Sequence, residues 1–466
     1  MKIIEPRTLK GFRDIFSDEI IAREEIVSKI KRVYESYGFS PLATPALEYR
    51  DILVGYGEEA NKQIYTFRDP DGSGVGLRYD LTSPLSRVIA QYKNLEMPFR
   101  RYQIQEVYRY DKPDKGRFRE FLQFDIDTVG TSSVIADAEI IAAMYQSIEA
   151  LGVSGFKIRV NNRKILEELI RFSGIEPTLS ISVFRVVDKL DKLGLDAVLA
   201  ELGDGRTDAS GAEIRGLRLK KQQIDRVKEF IMLPRKNRKE ALQSVTSILG
   251  DCEGIEELRE IDGYLEGLGI DEDKVVIDFV VARGLDYYTG PVYEAILTDA
   301  PRYGSVMGGG RYDRLIGQFA GVDIPATGAS IGVDRLVSAM QKLGLVKGRK
   351  NNIDVLITVM VKDKLVEYNR LALKLRENNI NTEVYIGEGG IGKQLKYADK
   401  KEIPIALLIG EDEFQEGVVS VKDLKAKERA EKEIGDRRKW LEARIGQRKV
   451  KTSKIVTEIK NILNQK

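Results

Sequence analysis

The chain has 466 residues, of which 42% are hydrophobic and 32% charged, a composition typical of a globular protein with two to four domains. It contains no histidine and a single cysteine, Cys252, which excludes an internal disulfide, a zinc site with His or Cys ligands, and catalysis by a Ser-His or Cys-His pair. Because no stretch reaches the roughly 18 apolar residues of a membrane span and no signal core opens the chain, we expect a cytoplasmic protein with no membrane partner.

The formal net charge is +2, but it is spread unevenly along the chain. Residues 421–466 hold 15 Lys and Arg against 7 Asp and Glu, a net +8 that leaves −6 for the remainder. This pattern indicates either a polyanionic partner or a solvated, charge-rich helical end, and composition favours neither.

The first part of the chain mixes helices with short strands. Apolar spacing predicts an amphipathic helix over residues 18–37, and Gly38 ends it. Extended chain is predicted over 39–53, and short strands and turns over 63–130. These are followed by a helix over 135–151, a strand over 156–160 and a helix over 163–172. Helical, Leu/Lys/Glu-rich sequence then fills residues 174–269, before strand-like runs at 275–282, 292–297 and 327–333. We interpret this as a mainly antiparallel α/β domain, residues 1–173 and 270–345, with a helical insertion over 174–269.

A short Lys/Gly/Asn linker covers residues 344–352, and strand and helix patterns alternate beyond it. The alternating segments are 353–360, 365–377, 382–386, 390–399, 403–409 and 418–423. This alternation predicts a second, small and largely parallel α/β domain over residues 352–466.

Within that second domain, Gly387-Glu-Gly-Gly-Ile-Gly392-Lys393 has the glycine and lysine spacing of a phosphate-binding loop. Gln394 stands where Ser or Thr would bind Mg²⁺, so a glycine-rich helix start is the favoured interpretation.

Four segments of the first domain could carry chemistry. Residues 100–130 are rich in Arg, Tyr and acids, and alternation puts Phe121, Gln123, Asp125 and Asp127 on one strand face; an exposed hairpin is the alternative. Arg283 follows an apolar run and begins a turn with Asp286, which could equally be its structural partner. Gly308 to Gly310 allow close backbone approach or form a flexible loop, and Arg335, at a helix start that disfavours cations, suits a phosphate.

These segments, taken together and in this order, resemble the motifs of class II aminoacyl-tRNA synthetases. Tyr108-Arg109-x-Asp111 with Phe121 is similar to motif 2, Gly328 to Arg335 is similar to motif 3, and the chain around Pro45 is similar to motif 1. Leu77 to Thr82, Arg283 to Gly290 and Gly309 to Asp313 resemble the histidine-specific motifs of histidyl-tRNA synthetases. The resemblance is weakest in the helical insertion, and it implies an antiparallel catalytic domain followed by an anticodon-binding domain over residues 352–466.

The resemblance also implies site residues. It assigns catalysis to Arg109, Arg283 and Arg335, and ATP binding to Arg109, Asp111, Arg117, Phe121 and Arg335, with Mg²⁺ on the pyrophosphate side. It assigns histidine binding to Asp80, Leu81, Thr82, Arg109, Gln123, Asp127, Arg283, Tyr287, Tyr288 and Tyr312. Asp80, Asp127 and Asp111 depart from the family, since many of its members have Glu there. No metal is assigned protein ligands.

The implied activity is activation of L-histidine with ATP and its transfer to tRNA(His) by a homodimer that motif 1 assembles. The alternative is a non-catalytic histidine sensor on the same fold, the regulatory subunit of ATP phosphoribosyltransferase. Such sensors lack the C-terminal anticodon domain, so the second domain and the three arginines together favour the enzyme.

Overall fold

The computed structural model describes residues 3–54, 61–114, 116–208, 210–283, 287–346, 348–426 and 446–464. The chain divides into two compact units by its internal contacts. The first unit consists of Met1–Asp14 with Arg23–Val346, and the second of Ile15–Ala22 with Lys347–Lys466. The helical segment expected as an insertion, residues 174–269, falls within the first unit.

The chain up to residue 346 contains a large sheet, two small ones and the helices that cover them. Its strands are β1 (Ser40–Pro41), β2 (Leu47–Tyr49), β3 (Thr66–Arg68), β4 (Gly74–Leu77), β5 (Phe99–Tyr108), β6 (Glu120–Val129), β7 (Phe156–Asn162), β8 (Gly205–Thr207), β9 (Glu213–Arg215), β10 (Val275–Ile277), β11 (Pro291–Leu297), β12 (Ser305–Arg311) and β13 (Ala326–Gly332). Its helices are α1 (Ser17–Ser36), α2 (Arg50–Leu53), α3 (Thr82–Gln91), α4 (Ile135–Ala150), α5 (Arg163–Ser173), α6 (Ser180–Val187), α7 (Leu190–Leu193), α8 (Leu195–Leu202), α9 (Lys221–Ile231), α10 (Arg238–Leu249), α11 (Glu253–Gly267), α12 (Gly317–Ala320) and α13 (Val333–Lys342). Most of the predicted helix and strand positions agree with these bounds.

The large sheet has the strand order β1-β5-β6-β13-β12-β11-β7-β10. In the described residues its central pairings, from β5 through to β7, are antiparallel, and its edge strands β1 and β10 pair in parallel. The expectation of a mainly antiparallel domain is therefore confirmed.

The two faces of this sheet have opposite characters. Phe124 and Ile126 of β6 are fully buried on one face, where Phe124 meets the ring of Tyr34 at 4.9 Å between ring centroids. Helix α4 covers the same face over β11, β12 and β13. Alternate residues of β6 face the other way, because successive side chains of a strand point to opposite sides. That second face carries the polar side chains and forms the floor of a cavity.

The segment predicted as a strand over residues 275–282 is a strand only over Val275–Ile277, so that prediction is wrong beyond Ile277. Phe279 and the residues up to Ala282 are buried but irregular, because the side-chain amide of Asn161 takes the place of a strand partner. It donates to the carbonyl oxygens of Phe279 and Val281 at 3.0 and 2.8 Å. Extended chain predicted over 39–53 likewise ends in the helix α2.

The second unit has a five-stranded sheet of mixed direction in its described part. Its strands are β14 (Val355–Ile357), β15 (Thr382–Val384), β16 (Ile405–Leu408), β17 (Val418–Asp423) and β18 (Gln447–Lys451). Its helices are α14 (Leu365–Arg376), α15 (Ile391–Lys400), α16 (Glu411–Glu416) and α17 (Ile455–Asn464). The strand order is β15-β14-β16-β17-β18.

The expectation of a largely parallel sheet holds for half of its pairings. Strand β14 runs parallel to β15 and β16, whereas β17 runs antiparallel to β16 and β18. The connection from Leu408 to Val418 contains only the short helix α16, and a parallel crossover needs about a dozen residues or more. The chain therefore turns back instead of crossing over.

Glycines 308 to 310 lie within β12, so the flexible-loop alternative is wrong. A Cβ added at Gly309 would lie 2.0 Å from the carbonyl oxygen of Gly328 and 2.6 Å from the ring of Tyr293. The neighbouring strand and a buried ring come too close for any side chain. A glycine is required there by close packing.

We expect Gly309→Ala to lower the free energy of unfolding of the first unit by about 1–3 kcal/mol, because its methyl group meets backbone atoms that must move. Gly263→Ala is the matched control: Gly263 is an exposed helical glycine with nothing within 4 Å of an added Cβ. The control is expected to gain about 0.5–1 kcal/mol. Urea denaturation of both variants measures the difference, and equal midpoints would show that β12 tolerates a side chain.

Candidate active site

A cavity of about 640 Å³ lies on the polar face of the large sheet. It is within the range of small-molecule sites. Most of the residues singled out from the sequence line it, namely Asp80, Thr82, Arg109, Asp111, Arg117, Phe121, Gln123, Asp127, Arg283, Tyr287, Tyr288, Tyr312 and Arg335. Leu81 does not line the cavity; its side chain is fully buried. The motifs are thus separated along the chain but meet at one site.

Four arginines converge at one end of the cavity: Arg109, Arg117, Arg283 and Arg335. The pKa of Arg335 is lowered by its burial and by the positive charges of the other three. Like charges brought together in a partly buried place repel one another, so this end of the cavity favours an anion.

Two aromatic rings fix the orientation of the Arg109 guanidinium group. Its guanidinium carbon lies 4.3 Å from the ring centroid of Tyr79 and 5.3 Å from that of Phe121. Its Nε donates to the carbonyl oxygen of Tyr79 at 3.0 Å, and its Nη2 reaches Oε1 of Gln123 at 3.4 Å. These contacts fix the plane of the guanidinium without neutralising its charge.

Arg283 lies over the glycines of β12. A Cβ at Gly308 would be 1.8 Å from Nη1 of Arg283, so this position has room for the guanidinium only because it has no side chain. Nε of Arg283 pairs with Oε2 of Glu294 at 2.7 Å, and Glu294 also pairs with Arg159 at 3.1 Å. Asp286, the structural partner considered from the sequence, lies outside the described residues.

The first turn of α13 is fixed to β6 by Asp334. Its Oδ2 accepts from the backbone N–H of Leu122 at 2.7 Å, and its Oδ1 accepts from Arg13 at 3.2 Å. The next residue, Arg335, donates from Nη1 to the carbonyl oxygen of Ser305 at 2.9 Å. The helix start and the strand that carries Phe121 are thereby held together beside the cavity.

Arg117 pairs with Asp111 through two hydrogen bonds, from Nε at 2.9 Å and from Nη2 at 2.5 Å. Half of the Arg117 side chain is exposed (51%), so this pair contributes little to stability. It places one carboxylate among the four arginines.

The floor of the cavity beyond the arginines is acidic. Gln123, Asp125 and Asp127 of β6 are all buried, so the exposed-hairpin alternative is wrong. Nε2 of Gln123 donates to both carboxylate oxygens of Asp125, at 3.0 and 2.8 Å. Asp80 lies across from them, and its Oδ1 accepts from the backbone N–H groups of Thr82 and Ser83 at 3.1 and 3.0 Å, which begin α3.

Asp127 is the most constrained of these carboxylates. It receives a hydrogen bond from the hydroxyl of Tyr312, and Nη2 of Arg101 lies 2.8 Å from its Oδ2. Burial raises the pKa of Asp127 to about 7 and that of Asp125 to about 6, although Arg101 lowers both. The neighbouring carboxylates raise the pKa of Asp127 further. An added cation or N–H donor would favour the charged forms.

Tyrosine rings close the acidic end. Tyr287 and Tyr288 lie with their ring centroids 4.3 Å apart, and both line the cavity. Burial raises the pKa of Tyr287, Tyr288 and Tyr312, so the three phenols remain protonated donors at neutral pH. The two ends of the cavity therefore differ in chemistry: fixed cations at one, carboxylates and phenols at the other.

Sequence reasoning missed two buried charges near this site. Arg101 of β5 was given no role, although Arg101, Gln103 and Gln105 alternate along β5 opposite Asp127, Asp125 and Gln123 of β6. Arg311 lies within the Gly309 to Asp313 motif but was given no role of its own: it pairs with buried Asp137, which accepts from Thr327 at 2.5 Å beneath the sheet. Polar residues at every second position of β5 could have indicated that Arg101 faces the same side of the sheet as the site.

The phosphate-loop pattern of the second unit has a structural use. Both polar groups of the Gln394 side chain bond to the backbone of Val359, each at 2.8 Å. Helix α15 begins at Ile391 directly after Gly390, so the glycine-rich helix start favoured from the sequence is confirmed, and Gln394 fixes it to the end of β14. Within the described residues, no group of three His, Cys, Asp or Glu side chains is placed to hold a metal.

The motif 2 arginine, Arg109, comes from the β5–β6 hairpin, and the motif 3 arginine, Arg335, comes from the β13–α13 junction. An antiparallel sheet that presents both arginines to one cavity defines the catalytic domain of a class II aminoacyl-tRNA synthetase. The profile described as histidyl-tRNA synthetase matches residues 11–336, and one described as anticodon binding domain matches residues 354–444. The chain belongs to the histidyl-tRNA synthetase family.

Individual relatives agree with this assignment. The chain is 41% identical to the histidine–tRNA ligase of Dinoroseobacter shibae, over 98% of this chain and 97% of that protein. The crystal structure of histidyl-tRNA synthetase from Nostoc sp. PCC 7120 superposes with a TM-score of 0.81 at 30% identity, covering 98% of this chain and all (100%) of that one. A Bacillus halodurans structure described as ATP phosphoribosyltransferase regulatory subunit/histidyl-tRNA synthetase shares the fold, with a TM-score of 0.69 at 22% identity over 85% of this chain and 97% of that one.

Proposed function

We propose that this chain activates L-histidine with ATP to form histidyl-adenylate and transfers the histidyl group to the 3′ end of tRNA(His). The observation that carries the proposal is the division of one cavity into an arginine end and a carboxylate–phenol end. ATP presents phosphates, whereas histidine presents an ammonium and an imidazole, so the two ends match the two substrates.

In the first step, a carboxylate oxygen of histidine attacks the α-phosphorus of ATP, and the bond to the bridging oxygen breaks to release pyrophosphate. Negative charge grows on the phosphoryl oxygens during this step, and fixed guanidinium groups stabilise it without reorganising. We assign Arg109 to the α-phosphate and Arg335 to the γ-phosphate, with Arg117 and Asp111 on the ATP side. Arg283 contacts both the histidine carboxylate and the α-phosphate.

The adenine ring is assigned to Phe121, whose ring lies beside the guanidinium of Arg109 at 5.3 Å. Mg²⁺ would balance the charge of the ATP phosphates, since such ions are often held by substrate oxygens, waters and one or two carboxylates. Asp111 is one carboxylate that lines the cavity and pairs with an arginine of that end.

Histidine is assigned to the opposite end. Asp80, Thr82 and Gln123 bind the ammonium, together with the backbone at Leu81, while Asp127, Tyr287 and Tyr288 line the imidazole side and Tyr312 closes the pocket. A carboxylate and phenols can pair with both the N–H and the acceptor nitrogen of an imidazole, so rings that lack either group leave buried polar atoms unpaired.

The second step, attack of a terminal ribose hydroxyl of the tRNA on the adenylate, releases AMP. We assign the tRNA acceptor end to the loop over residues 112–115, of which Lys115 lies outside the described residues. The anticodon side is assigned to residues 352–466, which include the net +8 segment suited to phosphates. Of that segment, residues 427–445 also lie outside the described residues.

We further propose that the protein works as a homodimer in the cytoplasm. The small sheet β2-β4-β3 next to motif 1 leaves three large apolar side chains exposed, Leu47 at 44%, Tyr49 at 61% and Phe67 at 48%. A second copy of the chain would cover such a surface. In the described residues, no helix combines the length and the apolar character needed to cross a membrane.

The sensor alternative predicts histidine binding without chemistry. Arg109, Arg283 and Arg335 all line the cavity, and the anticodon-binding match over residues 354–444 belongs to the second unit. A protein that only sensed histidine would have no use for a converging set of phosphate-binding charges, so we favour the enzyme.

The test is ATP–pyrophosphate exchange with each of the twenty amino acids, followed by charging of tRNA(His). We expect exchange with histidine alone and accumulation of histidyl-tRNA. Histidine binding without exchange would select the sensor, and exchange with a different amino acid would reject the proposal.

Arg283→Met is expected to slow histidyl-adenylate formation by about two to three decades, because a contact made mainly in the transition state is lost. The fold should survive, since Glu294 keeps Arg159 as its partner. Arg159→Lys is the matched control, because it changes the same ion-pair cluster outside the cavity and keeps the charge. Near-normal exchange by folded Arg283→Met would leave Arg283 as only a structural partner of Glu294.

Asp127→Asn is expected to weaken histidine binding by about 10- to 100-fold and ATP binding far less, since a charged hydrogen-bond acceptor at the imidazole end is lost. The pKa of Asp127 is raised from 3.8 to about 7, so its charged form disappears as the pH falls through 7. Wild-type affinity for histidine should therefore drop more steeply between pH 8 and pH 6 than that of Asp127→Asn.

Isothermal titration calorimetry at several pH values measures this difference directly. The imidazole of free histidine also titrates near this range, but it contributes equally to both proteins. Parallel pH profiles, or a loss of ATP affinity instead, would place Asp127 outside the histidine end.

A further inference from the structure

Arg101 is a fully buried arginine near the start of β5, and neither the motifs nor the proposed roles use it. It lies directly opposite Asp127 in the β5–β6 pairing. Its side chain extends beneath the acidic end of the cavity rather than into it, because Arg101 does not line the cavity.

One nitrogen of Arg101 connects several parts of the histidine end. Nη2 lies 2.8 Å from Oδ2 of Asp127 and 4.0 Å from Oδ2 of Asp125, and it donates to the carbonyl oxygen of Leu81 at 3.2 Å. Leu81 belongs to the turn between Asp80 and Thr82, where the ammonium is assigned. The same guanidinium group thus contacts the imidazole-side carboxylate and the ammonium-side backbone.

Stability alone is a weak reason for this arrangement. Nε and Nη1 of Arg101 donate to no group in the described residues, and a buried guanidinium with unmet donors is costly. Replacing a buried ion pair with apolar residues is often neutral or stabilising. The sheet could therefore be held together without Arg101, so the site above it is the better explanation for this arginine.

We propose that Arg101 is a positioning residue for histidine recognition, which fixes the separation between the Asp80–Thr82 turn and the carboxylate of Asp127. The inference rests on the function proposed above and deepens it. An amino acid that spans the two contacts must have its ammonium and its ring N–H at that separation. The geometry of Arg101 accordingly selects the length and shape of the substrate side chain.

The charge of Arg101 has a second effect on the same carboxylate. Asp127 is faced by Arg101 from β5, by Asp125 from its own strand, by Tyr312 and by Asp80, and Tyr293 lies nearby. Arg101 is the positive member of this set, and it favours the charged form that accepts the imidazole N–H. Removal of Arg101 therefore loosens the turn and neutralises the acceptor, whereas the arginine end is left unchanged.

The test compares three variants with the unmodified protein in the exchange assay. They are Arg101→Met, Arg101→Lys and the double variant Arg101→Met/Asp127→Asn. Arg238→Met is the matched control. Arg238 is equally buried, pairs with Asp262 at 2.5 Å and donates to the carbonyl oxygen of Val275 at 3.1 Å, all away from the cavity.

We expect Arg101→Met to raise the KM for histidine by about 10- to 100-fold while the KM for ATP changes by less than about threefold. Arg101→Lys should recover most of the loss, because a single nitrogen makes both contacts and an ammonium can replace it. Arg238→Met should lower thermal stability but leave both KM values of the folded protein unchanged. The double variant should regain the thermal stability lost by Arg101→Met, because it no longer buries an unpaired carboxylate; its KM for histidine stays high through the Asp127→Asn change alone.

Equal changes in the two KM values for folded Arg101→Met, including no change in either, would overturn the proposal. Such a result would mean that Arg101 only balances charge in the fold. Failure of the proposed function is distinguishable, because the unmodified protein would then show no histidine-dependent exchange at all.

Discussion

The register of β6 between β5 and β13 is the constraint on which the site depends. Gln123, Asp125 and Asp127 occupy alternate positions of β6, so all three face the cavity, and Phe124 and Ile126 face the core behind it. A shift of one residue would exchange these two sets and bury the carboxylates among apolar side chains. On the other side of β6, Gly328 lies opposite Asp127, where an added Cβ would be 2.0 Å from Oδ1 of the carboxylate.

The chemistry of the cavity follows from what the chain does not contain. The chain has no histidine and its one cysteine, Cys252, does not line the cavity, so neither general-base imidazole nor thiolate chemistry is open to this site. Adenylate formation needs neither, because the attacking group is already a carboxylate and the requirement is to stabilise charge on phosphorus-bound oxygens. Arginines remain charged at any working pH and hold their shape, and stacking with Tyr79 and Phe121 keeps Arg109 in place.

Much of the fold and site could be predicted from the sequence. Periodic apolar patterns gave the long helices, and ordered motifs placed the arginines and acids that meet at one cavity. Local patterns did not reveal tertiary substitutes for strand pairing, such as the Asn161 amide that holds residues 279–281. They also left open whether the glycines of β12 allow close approach or form a flexible loop, because a sequence that suits a flexible loop also suits a strand packed against a ring and a neighbouring backbone. Arg101 was missed because its importance lies in its cross-strand partner, and a one-strand pattern cannot name that partner.

Gly308 and Arg283 cannot be substituted independently, because they share one space in the site. The space above β12 holds one side chain, and it is filled from residue 283 because residue 308 has none. The two positions therefore behave as a single volume shared between distant parts of the chain. A larger residue at 308 would require a shorter one at 283, and the site would lose a cation at the same time. The strand and the charge above it can be redesigned only together.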